Sequence, residues 1–145
     1  MLSLNPNARS SSWLLVCALA LRRADEWLLH RRPVGTHHEN LWEFPGGKVE
    51  GEETPREALV REVREELGVE IDARDLQPHF FADGETDGSG RPITLLLFTA
   101  HRWTGDLKAN EGGKLVWFDL AAMAKLSMPP LDRALYDSIT WNNAN

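Results

Sequence analysis

The sequence predicts an α/β fold in which a mixed β-sheet lies between helices. Three observations support this prediction: several apolar or alternating segments are bounded by turn residues, one amphipathic segment carries both start and stop signals of a helix, and two shorter helical segments follow near the carboxyl end. A length of 145 residues with 42% hydrophobic residues suits one globular domain, and no Pro/Gly/Ser-rich linker divides it. We therefore expect a single domain over residues 1–145.

Five segments are expected to form strands, because each is apolar or alternates in polarity between turn residues. They are residues 13–22, 26–32, 79–83, 92–103 and 114–118. The glycine-rich stretch 83–90 is expected to connect two of these strands as a hairpin, and Pro45–Gly47 is expected to form a turn. Residues 1–12 and 141–145 are expected to be loose termini.

Three segments are expected to be helical: residues 55–67, 119–125 and 131–140. The first has the clearest boundaries, because Thr54 is a suitable N-cap, Pro55 suits the first helical position, and Glu57 completes a capping box. Gly68 supplies the left-handed residue that commonly ends a helix. One apolar arc of this helix is formed by Leu59, Val63 and Leu67.

Beside the apolar arc, one edge of the same helix carries three carboxylates: Glu62, Glu65 and Glu66. Like-charged pairs three or four residues apart cost about 0.2–0.5 kcal/mol each, so an isolated helix gains no stability from them. A divalent cation would reverse this effect, because carboxylate oxygens are hard ligands suited to Mg²⁺ or Mn²⁺, and Mg²⁺ often binds carboxylates together with substrate phosphates. The cluster therefore predicts a metal and a polyphosphate together; the alternative is a solvated, charged helix face.

Arg61 is expected to point away from this acidic edge and to pair with Glu53 or Glu57. Such a pair would hold the preceding loop against the helix. We therefore expect Arg61 and Glu53 to belong to the catalytic group as organisers of its geometry.

Composition restricts the classes of partner. A formal net charge of −6 argues against broad electrostatic binding to nucleic acid, which depends on lysine and arginine neutralising phosphates. The single cysteine, Cys17, excludes an intramolecular disulfide and suits a buried thiol in a reducing compartment. The apolar run 13–21 is too short to span a bilayer, and cleavage at the signal-peptidase-like Ala18–Ala20 would remove the first strand. We expect a cytoplasmic protein with no membrane and no stable nucleic-acid partner.

The acidic helix is part of a longer pattern, G-x5-E-x7-R-E-U-x-E-E-x-G-U, in which U is aliphatic. Its fixed positions are Gly47, Glu53, Arg61, Glu62, Val63, Glu65, Glu66, Gly68 and Val69. This pattern resembles the Nudix box of nucleoside-diphosphate-linked hydrolases, and the preceding residues 41–46 are similar to the MutT-type branch, which acts on oxidised nucleoside triphosphates. The similarity extends from about Trp13 to Leu135 and implies an α/β/α sandwich with a mixed sheet between helices.

The resemblance implies that Glu62, Glu65 and Glu66 carry the metal, with the carbonyl of Gly46 as a further ligand. A later glutamate normally joins them in this branch. Glu111, in the loop before the strand 114–118, stands at the matching place; the alternative is an ordinary acidic loop residue.

The resemblance also implies a substrate site. Arg32 matches an arginine that helps to bind the substrate, and His37 and Arg91 stand where the branch has contacts to phosphate. Phe44 resembles the residue that lines the base pocket. The alternatives are a surface arginine for Arg32 and a core aromatic for Phe44.

Asp132 resembles the residue that reads the edge of the base, which is an asparagine in the bacterial enzymes acting on oxidised guanine. An ionised aspartate only accepts hydrogen bonds, whereas asparagine both donates and accepts, so this difference affects which base is preferred. Asp132 could equally be the N-cap of the last helix.

Taken together, the resemblance implies Mg²⁺-dependent hydrolysis of a nucleoside triphosphate to a nucleoside monophosphate and pyrophosphate, with Mn²⁺ as a substitute metal. Water attacks the β-phosphorus in this branch. Glu62 is the first choice of general base, with Glu65 and Glu111 as alternatives. The expected role is removal of oxidised nucleotides such as 8-oxo-dGTP by a monomer or small homo-oligomer.

Three other functions are compatible with parts of the sequence. A hydrolase of unmodified nucleotides such as CTP would retain the same metal site and could carry Asp132. A non-hydrolytic nucleotide-binding sensor would be expected to lose the metal carboxylates, all of which are present. An RNA-end-processing enzyme is disfavoured by the acidic balance and the lack of a basic tract.

Overall fold

The computed structural model of the protein describes residues 13–84 and 91–144, which form a mixed sheet with helices on both faces. The strands are β1 (Leu14–Arg23), β2 (Glu26–Arg31), β3 (Trp42–Glu43), β4 (Gly46–Lys48), β5 (Gln77–Gly84), β6 (Ile93–Ala100) and β7 (Lys114–Asp119). The helices are α1 (Pro55–Leu67), α2 (Leu120–Met123) and α3 (Pro130–Ala144), with a 3₁₀ turn at Ala73–Asp75. The strand order is β3-β2-β1-β6-β5, with β4 paired to β1 and β7 paired to β2. Since β1 and β6 are parallel and the other described pairs antiparallel, the predicted mixed sheet is confirmed.

Strand β1 is the centre of the core because it is buried on both faces. Alternate side chains of a strand point to opposite faces of the sheet. Cys17, Leu19 and Leu21 therefore pack with α1, whereas Ala18 and Ala20 pack on the opposite face with α3. This double burial explains why β1 appears in the sequence as a continuous apolar run.

Helix α1 begins and ends where the sequence predicts. The hydroxyl of Thr54 accepts a hydrogen bond from the Glu57 amide at 3.2 Å, and Gly68 takes a left-handed conformation with φ 70°. The predicted apolar arc is buried: Leu59 and Val63 are 0% exposed and Leu67 is 1% exposed. No helix in residues 13–84 and 91–144 combines the length and the apolar character needed to cross a bilayer.

The predicted turn at Pro45–Gly47 is wrong, because Gly46 and Gly47 lie in strand β4. This strand pairs antiparallel with β1, placing Gly46 opposite Ala18 and Gly47 opposite Cys17. A Cβ added at Gly46 would lie 1.9 Å from the carbonyl oxygen of Cys17. Glycine here therefore permits a close approach of two backbones, and the pairing brings both glycines against α1.

Other predicted boundaries also differ from the structure. The predicted strand 92–103 ends at Ala100, and helix α2 is shorter than predicted. Helix α3 continues to Ala144, so the predicted loose end is wrong over 141–144; no glycine or proline interrupts this segment. Residues 1–12, the hairpin connection at 85–90 and Asn145 lie outside the described residues.

Candidate active site

Arg61 of α1 joins the loop before the helix to the acidic edge. Its Nε and Nη2 donate to the two carboxylate oxygens of Glu53 at 2.7 and 3.0 Å, and Nη2 also donates to the Lys48 carbonyl at 3.0 Å. Its Nη1 donates to Glu62 at 2.9 Å and to Glu65 at 3.3 Å. The hydrogen bonds between Arg61 and Glu53 lower the pKa of Glu53 and raise the pKa of Arg61. The expected contact with Glu53 is present, but the expectation that Arg61 points away from the acidic edge is wrong, because one guanidinium has enough donors for both.

The carboxylate of Glu62 lies directly over the backbone of Gly47. A Cβ at Gly47 would be 2.2 Å from Cδ of Glu62 and 2.5 Å from each of its oxygens. Burial raises the pKa of Glu62, the hydrogen bond from Arg61 opposes this shift, and the charges of Glu65 and Glu111 add to it. The glycine in β4 is therefore what allows this carboxylate to approach the strand.

Glu66 is the more deeply buried acid of the edge. The amide of Gly46 donates to Glu66 Oε2 at 3.2 Å. Burial, followed by the charges of Glu62 and Glu43, raises the pKa of Glu66 to about 8, while the Gly46 amide lowers it. The ionised form of Glu66 is thus poorly stabilised, because the carboxyl is largely removed from water and its charged neighbours are other acids.

Glu65 and Glu111 complete the acidic cluster from more exposed positions. The Glu65 side chain is 51% exposed, and Glu111 lies in the exposed loop 108–113, which precedes β7 in the connection from β6. Two backbone hydrogen bonds of 2.9 Å fix this loop on the last turn of α1, from the Lys108 amide to the Leu67 carbonyl and from the Asn110 amide to the Glu66 carbonyl. The contact of Asn110 with Glu66 places Glu111 next to the last turn of α1, and the charge of Glu111 adds to the raised pKa of Glu66.

The donor set fits a divalent cation. Within residues 13–84 and 91–144, no three His, Cys, Asp or Glu side chains are already drawn together at metal-ligand spacing. The acids of the edge nevertheless offer hard oxygen donors, and the raised pKa values of Glu62 and Glu66 show mutual repulsion and burial that a cation would offset. Glu62, Glu65, Glu66 and Glu111 are the side chains that could hold such an ion.

Arg32 and His37 lie together in the loop after β2. Arg32 Nη1 donates to Glu43 Oε1 at 3.1 Å, and Arg32 Nε donates to the His37 carbonyl at 2.5 Å. The ring of His37 is exposed and lies 3.9 Å from the ring of His38, centre to centre. The guanidinium of Arg32 is therefore held by two acceptors, the side chain of Glu43 and the backbone carbonyl of His37. The ring of His37 takes no part in the contact with Arg32.

Asp132 and Phe44 meet on the α3 side of the sheet. Asp132 Oδ1 accepts a hydrogen bond from the Phe44 amide at 3.0 Å, and both residues are buried, at 8% and 4% exposure. Because α3 begins at Pro130, Asp132 is its third residue and the N-cap alternative is wrong. The side chain of Phe44 packs in the apolar cluster on this face, which fits the core alternative as well as a pocket wall.

Burial changes the chemistry expected of Asp132. Burial raises its pKa to about 8, with the charge of Glu43 adding to the shift and the Phe44 amide and Arg32 opposing it. Near neutral pH the carboxyl therefore keeps a proton. An ionised Asp132 could only accept, but a protonated aspartate can donate as well as accept, as asparagine does.

The part of the chain that the structure describes gives neither Arg91 nor Cys17 a role at the acidic edge. Arg91 is exposed, two residues before β6, and its role stays a prediction. Cys17 is buried, and burial raises its pKa to about 11, with Glu53 and Glu62 adding to the shift. The thiol therefore stays protonated at neutral pH, and the expected burial of Cys17 is confirmed.

Sequence reasoning missed Glu43 and His30. Glu43 accepts from Arg32, lies 3.6 Å from Nδ1 of His30, and raises the pKa of both Glu66 and Asp132. His30 Nε2 is 2.8 Å from the carbonyl oxygen of Gly112. The sequence did contain one signal, the acidic Glu43 within the otherwise apolar segment 41–44. The groups that interact with Glu43, however, come from other segments of the chain and cannot be found from local sequence.

Comparison with known proteins agrees with this architecture. The family model described as NUDIX domain matches residues 13–139. The chain is 37% identical over 123 residues to the CTP pyrophosphohydrolase of Escherichia coli K12, covering 85% of this chain and 88% of that protein. It is 36% identical over 108 residues to the 8-oxo-dGTP diphosphatase of the same organism, covering 73% of this chain and 79% of that protein. The solution structure of the E. coli ORF135 protein superposes with a TM-score of 0.82 at 34% identity, covering 93% of this chain and 94% of that chain.

The fold and the acidic edge define a hydrolase that acts on pyrophosphate bonds. The chain belongs to the Nudix family and is a hydrolase of the MutT type. Members of this family act on nucleotide substrates and generally need divalent metal ions.

Proposed function

We propose that the protein hydrolyses a nucleoside triphosphate to a nucleoside monophosphate and pyrophosphate with Mg²⁺, and that oxidised nucleotides such as 8-oxo-dGTP are its preferred substrates. The observation that carries this proposal is the acidic edge of α1, where Glu62 and Glu66 lie partly buried beside the backbone of Gly46 and Gly47. Crowded, partly buried carboxylates are stabilised by a cation, and Mg²⁺ suits both carboxylate and phosphate oxygens. The similarity to the 8-oxo-dGTP diphosphatase of E. coli supports the substrate class.

The proposed metal ligands are the carboxylates of Glu62, Glu65, Glu66 and Glu111, with the carbonyl of Gly46. Mg²⁺ bound there would neutralise charge on the phosphates and lower the pKa of a water ligand, and Mn²⁺ would serve as a substitute. Arg61 and Glu53 hold the loop and the acidic edge in one arrangement. Their proposed contribution is positioning of the ligands.

The proposed reaction balances with one water molecule. The water oxygen forms a bond to the β-phosphorus, the bond from the β-phosphorus to the bridging α–β oxygen breaks, and that oxygen leaves with the nucleoside monophosphate. The water proton passes to a carboxylate, for which Glu62 is the first choice because it is held by Arg61 at 2.9 Å. Glu65 and Glu111 are the alternative bases.

The substrate is proposed to extend from the acidic edge toward β3 and α3. Arg32, held by Glu43, would pair with the substrate, and His37 and Arg91 would contact its phosphates. Phe44 and Asp132 would lie at the base. A protonated Asp132, with one oxygen already bonded to the Phe44 amide, can offer a donor to a base edge.

A second candidate is hydrolysis of an unmodified nucleotide such as CTP. The similarity of 37% to the CTP pyrophosphohydrolase of E. coli specifically favours it, and it requires the same metal site. The two candidates differ only in the nucleobase that would bind beside Phe44 and Asp132.

The experiment that separates them measures pyrophosphate release with Mg²⁺ from a panel of unmodified and oxidised nucleoside triphosphates, scored as kcat/KM, with Glu66→Gln as the blank. A preference for 8-oxo-dGTP supports the first candidate, and a preference for CTP supports the second.

Repeating the reaction in ¹⁸O-water identifies the attacked phosphorus, because attack at the β-phosphorus puts the label into pyrophosphate. Label in the monophosphate would contradict the proposed step, and no turnover of any triphosphate would favour a nucleotide-binding sensor.

We also propose that residues 1–145 are one domain, which acts in the cytoplasm as a monomer or small homo-oligomer without a stable nucleic-acid partner. The net charge of −6 supports the last point. Light scattering after size-exclusion chromatography measures the oligomeric state, and RNA binding that falls steeply with added salt would contradict the expectation.

A further inference from the structure

His30 joins two parts of the site that are distant in sequence. It lies on β2, opposite Glu43 of β3 and Leu115 of β7, and its side chain is 15% exposed. Its Nε2 lies 2.8 Å from the carbonyl oxygen of Gly112, and its Nδ1 lies 3.6 Å from Glu43 Oε1. A carbonyl oxygen can only accept, so the Nε2–H of His30 is the donor.

The loop that His30 contacts is shaped for this contact. Gly112 and Gly113 both have left-handed conformations, with φ of 88° and 77°. A Cβ at Gly113 would lie 2.7 Å from Nε2 of His30 and 2.1 Å from the carbonyl oxygen of Arg31. Two successive glycines make a turn that is intrinsically flexible, and the hydrogen bond from His30 is a specific restraint on it.

Glu111 stands immediately before this restrained turn. The other side of its loop is fixed by the Asn110 amide, which donates to the Glu66 carbonyl at 2.9 Å. The loop is therefore held on α1 by its first half and on β2 by its second half, and Glu111 is the residue between the two attachments. Loss of either attachment would let Glu111 move away from Glu62 and Glu66.

We propose that His30 is a positioning residue, which holds the Gly112 carbonyl and thereby keeps Glu111 at the acidic edge of α1. This inference rests on the proposed role of Glu111 as a metal ligand. The ring is itself oriented by Glu43, which also binds Arg32 at 3.1 Å, so the same contacts connect the Glu111 loop with the substrate arginine. The carboxylate of Glu43, 3.6 Å from Nδ1, raises the pKa of His30, and the contact of Nε2 with the Gly112 carbonyl adds to this shift.

The test compares His30→Phe, which keeps a ring without donors, with His30→Gln, which keeps an N–H donor of similar reach. The first readout is Mn²⁺ affinity, measured by electron paramagnetic resonance without nucleotide. The second is amide hydrogen exchange over residues 108–113 without metal. We expect His30→Phe to weaken Mn²⁺ binding about tenfold and to speed exchange in the loop, and His30→Gln to retain most of both properties. His101→Phe, at an exposed histidine after β6, is the matched control.

A double-mutant comparison separates positioning from general destabilisation. In a Glu111→Gln background, His30→Phe should weaken Mn²⁺ binding no further, because the residue through which it acts is already changed. An equal tenfold loss in that background, or unchanged binding and exchange in the single variant, would overturn the proposal. So would a His30→Gln variant that behaves like His30→Phe. These readouts need no substrate, so they remain decisive even if the panel of nucleotides shows no turnover.

Discussion

Two buried carboxyls on opposite sides of one short segment behave differently. Glu66 of α1 accepts a hydrogen bond from the Gly46 amide at 3.2 Å, and Asp132 of α3 accepts one from the Phe44 amide at 3.0 Å. Burial is the largest cause of the raised pKa of each, to about 8 in both cases. Residues 44–46 thus present alternate amides to two acids that have the same kind of donor, with Asp132 more deeply buried than Glu66.

Their neighbours distinguish the two acids. Glu66 is surrounded by Glu62, Glu43 and Glu111, so further negative charge raises its pKa. Asp132 faces one acid, Glu43, and the positive charge of Arg32 opposes the shift. A carboxyl crowded by other acids favours a cation, whereas a carboxyl that is merely buried favours a proton. Burial alone therefore does not determine whether a carboxyl favours a cation or a proton.

The largest expected effect comes from removing the charge of Glu66. Glu66→Gln keeps the shape and the hydrogen bond from the Gly46 amide but removes a proposed metal ligand. We expect kcat with Mg²⁺ to fall at least about 100-fold, since a metal supplies several kcal/mol to the transition state and about 1.4 kcal/mol is a factor of ten. Steady-state kinetics measure this, with the melting temperature as the control for folding. Activity near that of the wild type would remove Glu66 from the metal site.

A smaller effect is expected from Gly47→Ala. The added Cβ would lie 2.2 Å from Cδ of Glu62, so the carboxylate must move away from the strand. We expect activity to fall roughly tenfold, as for other changes that displace a ligand without removing it. Gly51→Ala is the control, because its Cβ meets nothing within 4 Å and only the left-handed backbone is strained. Equal losses in both variants would mean that general destabilisation, and not displacement of the Glu62 carboxylate, explains the result.

Asp132→Asn should alter base preference more than maximal rate. Asparagine donates and accepts at every pH, whereas Asp132 gains a donor only while protonated. We expect the ratio of kcat/KM between oxidised and unmodified nucleotides to change a few-fold, with roughly the same kcat for the better substrate. An unchanged profile across the nucleotide panel would show that Asp132 only fastens α3 to the Phe44 amide.

A further effect is expected on stability as a function of pH. The pKa of Asp132 is raised to about 8 in the folded protein, so between about pH 4 and that value the folded state binds more protons than the unfolded state. The free energy of unfolding of the wild type, relative to Asp132→Asn, should therefore fall as pH rises through this interval and level off above it. Urea titrations of both proteins without metal measure the difference. A difference independent of pH would show that Asp132 is ionised throughout.

Several features could be predicted because they are local. The N-cap at Thr54, the stop at Gly68 and the buried arc of α1 follow from helix geometry, and all are confirmed. The Arg61–Glu53 contact was also expected, because it joins a helix to its own preceding loop. Strand β4 was mistaken for a turn, since nothing local shows that Gly46 meets the backbone of Cys17.

The acidic edge of α1 follows from the sequence alone, because a helical repeat of 3.6 residues places Glu62, Glu65 and Glu66 near one another in any context. Contacts between distant segments determine which acids are buried and which carry a raised pKa. The Asp132 contact with Phe44 spans 88 residues, and the His30 contact with Gly112 spans 82. The physical reason is that desolvation and charge pairing depend on groups brought together from distant segments, whereas spacing along one helix depends on the backbone alone.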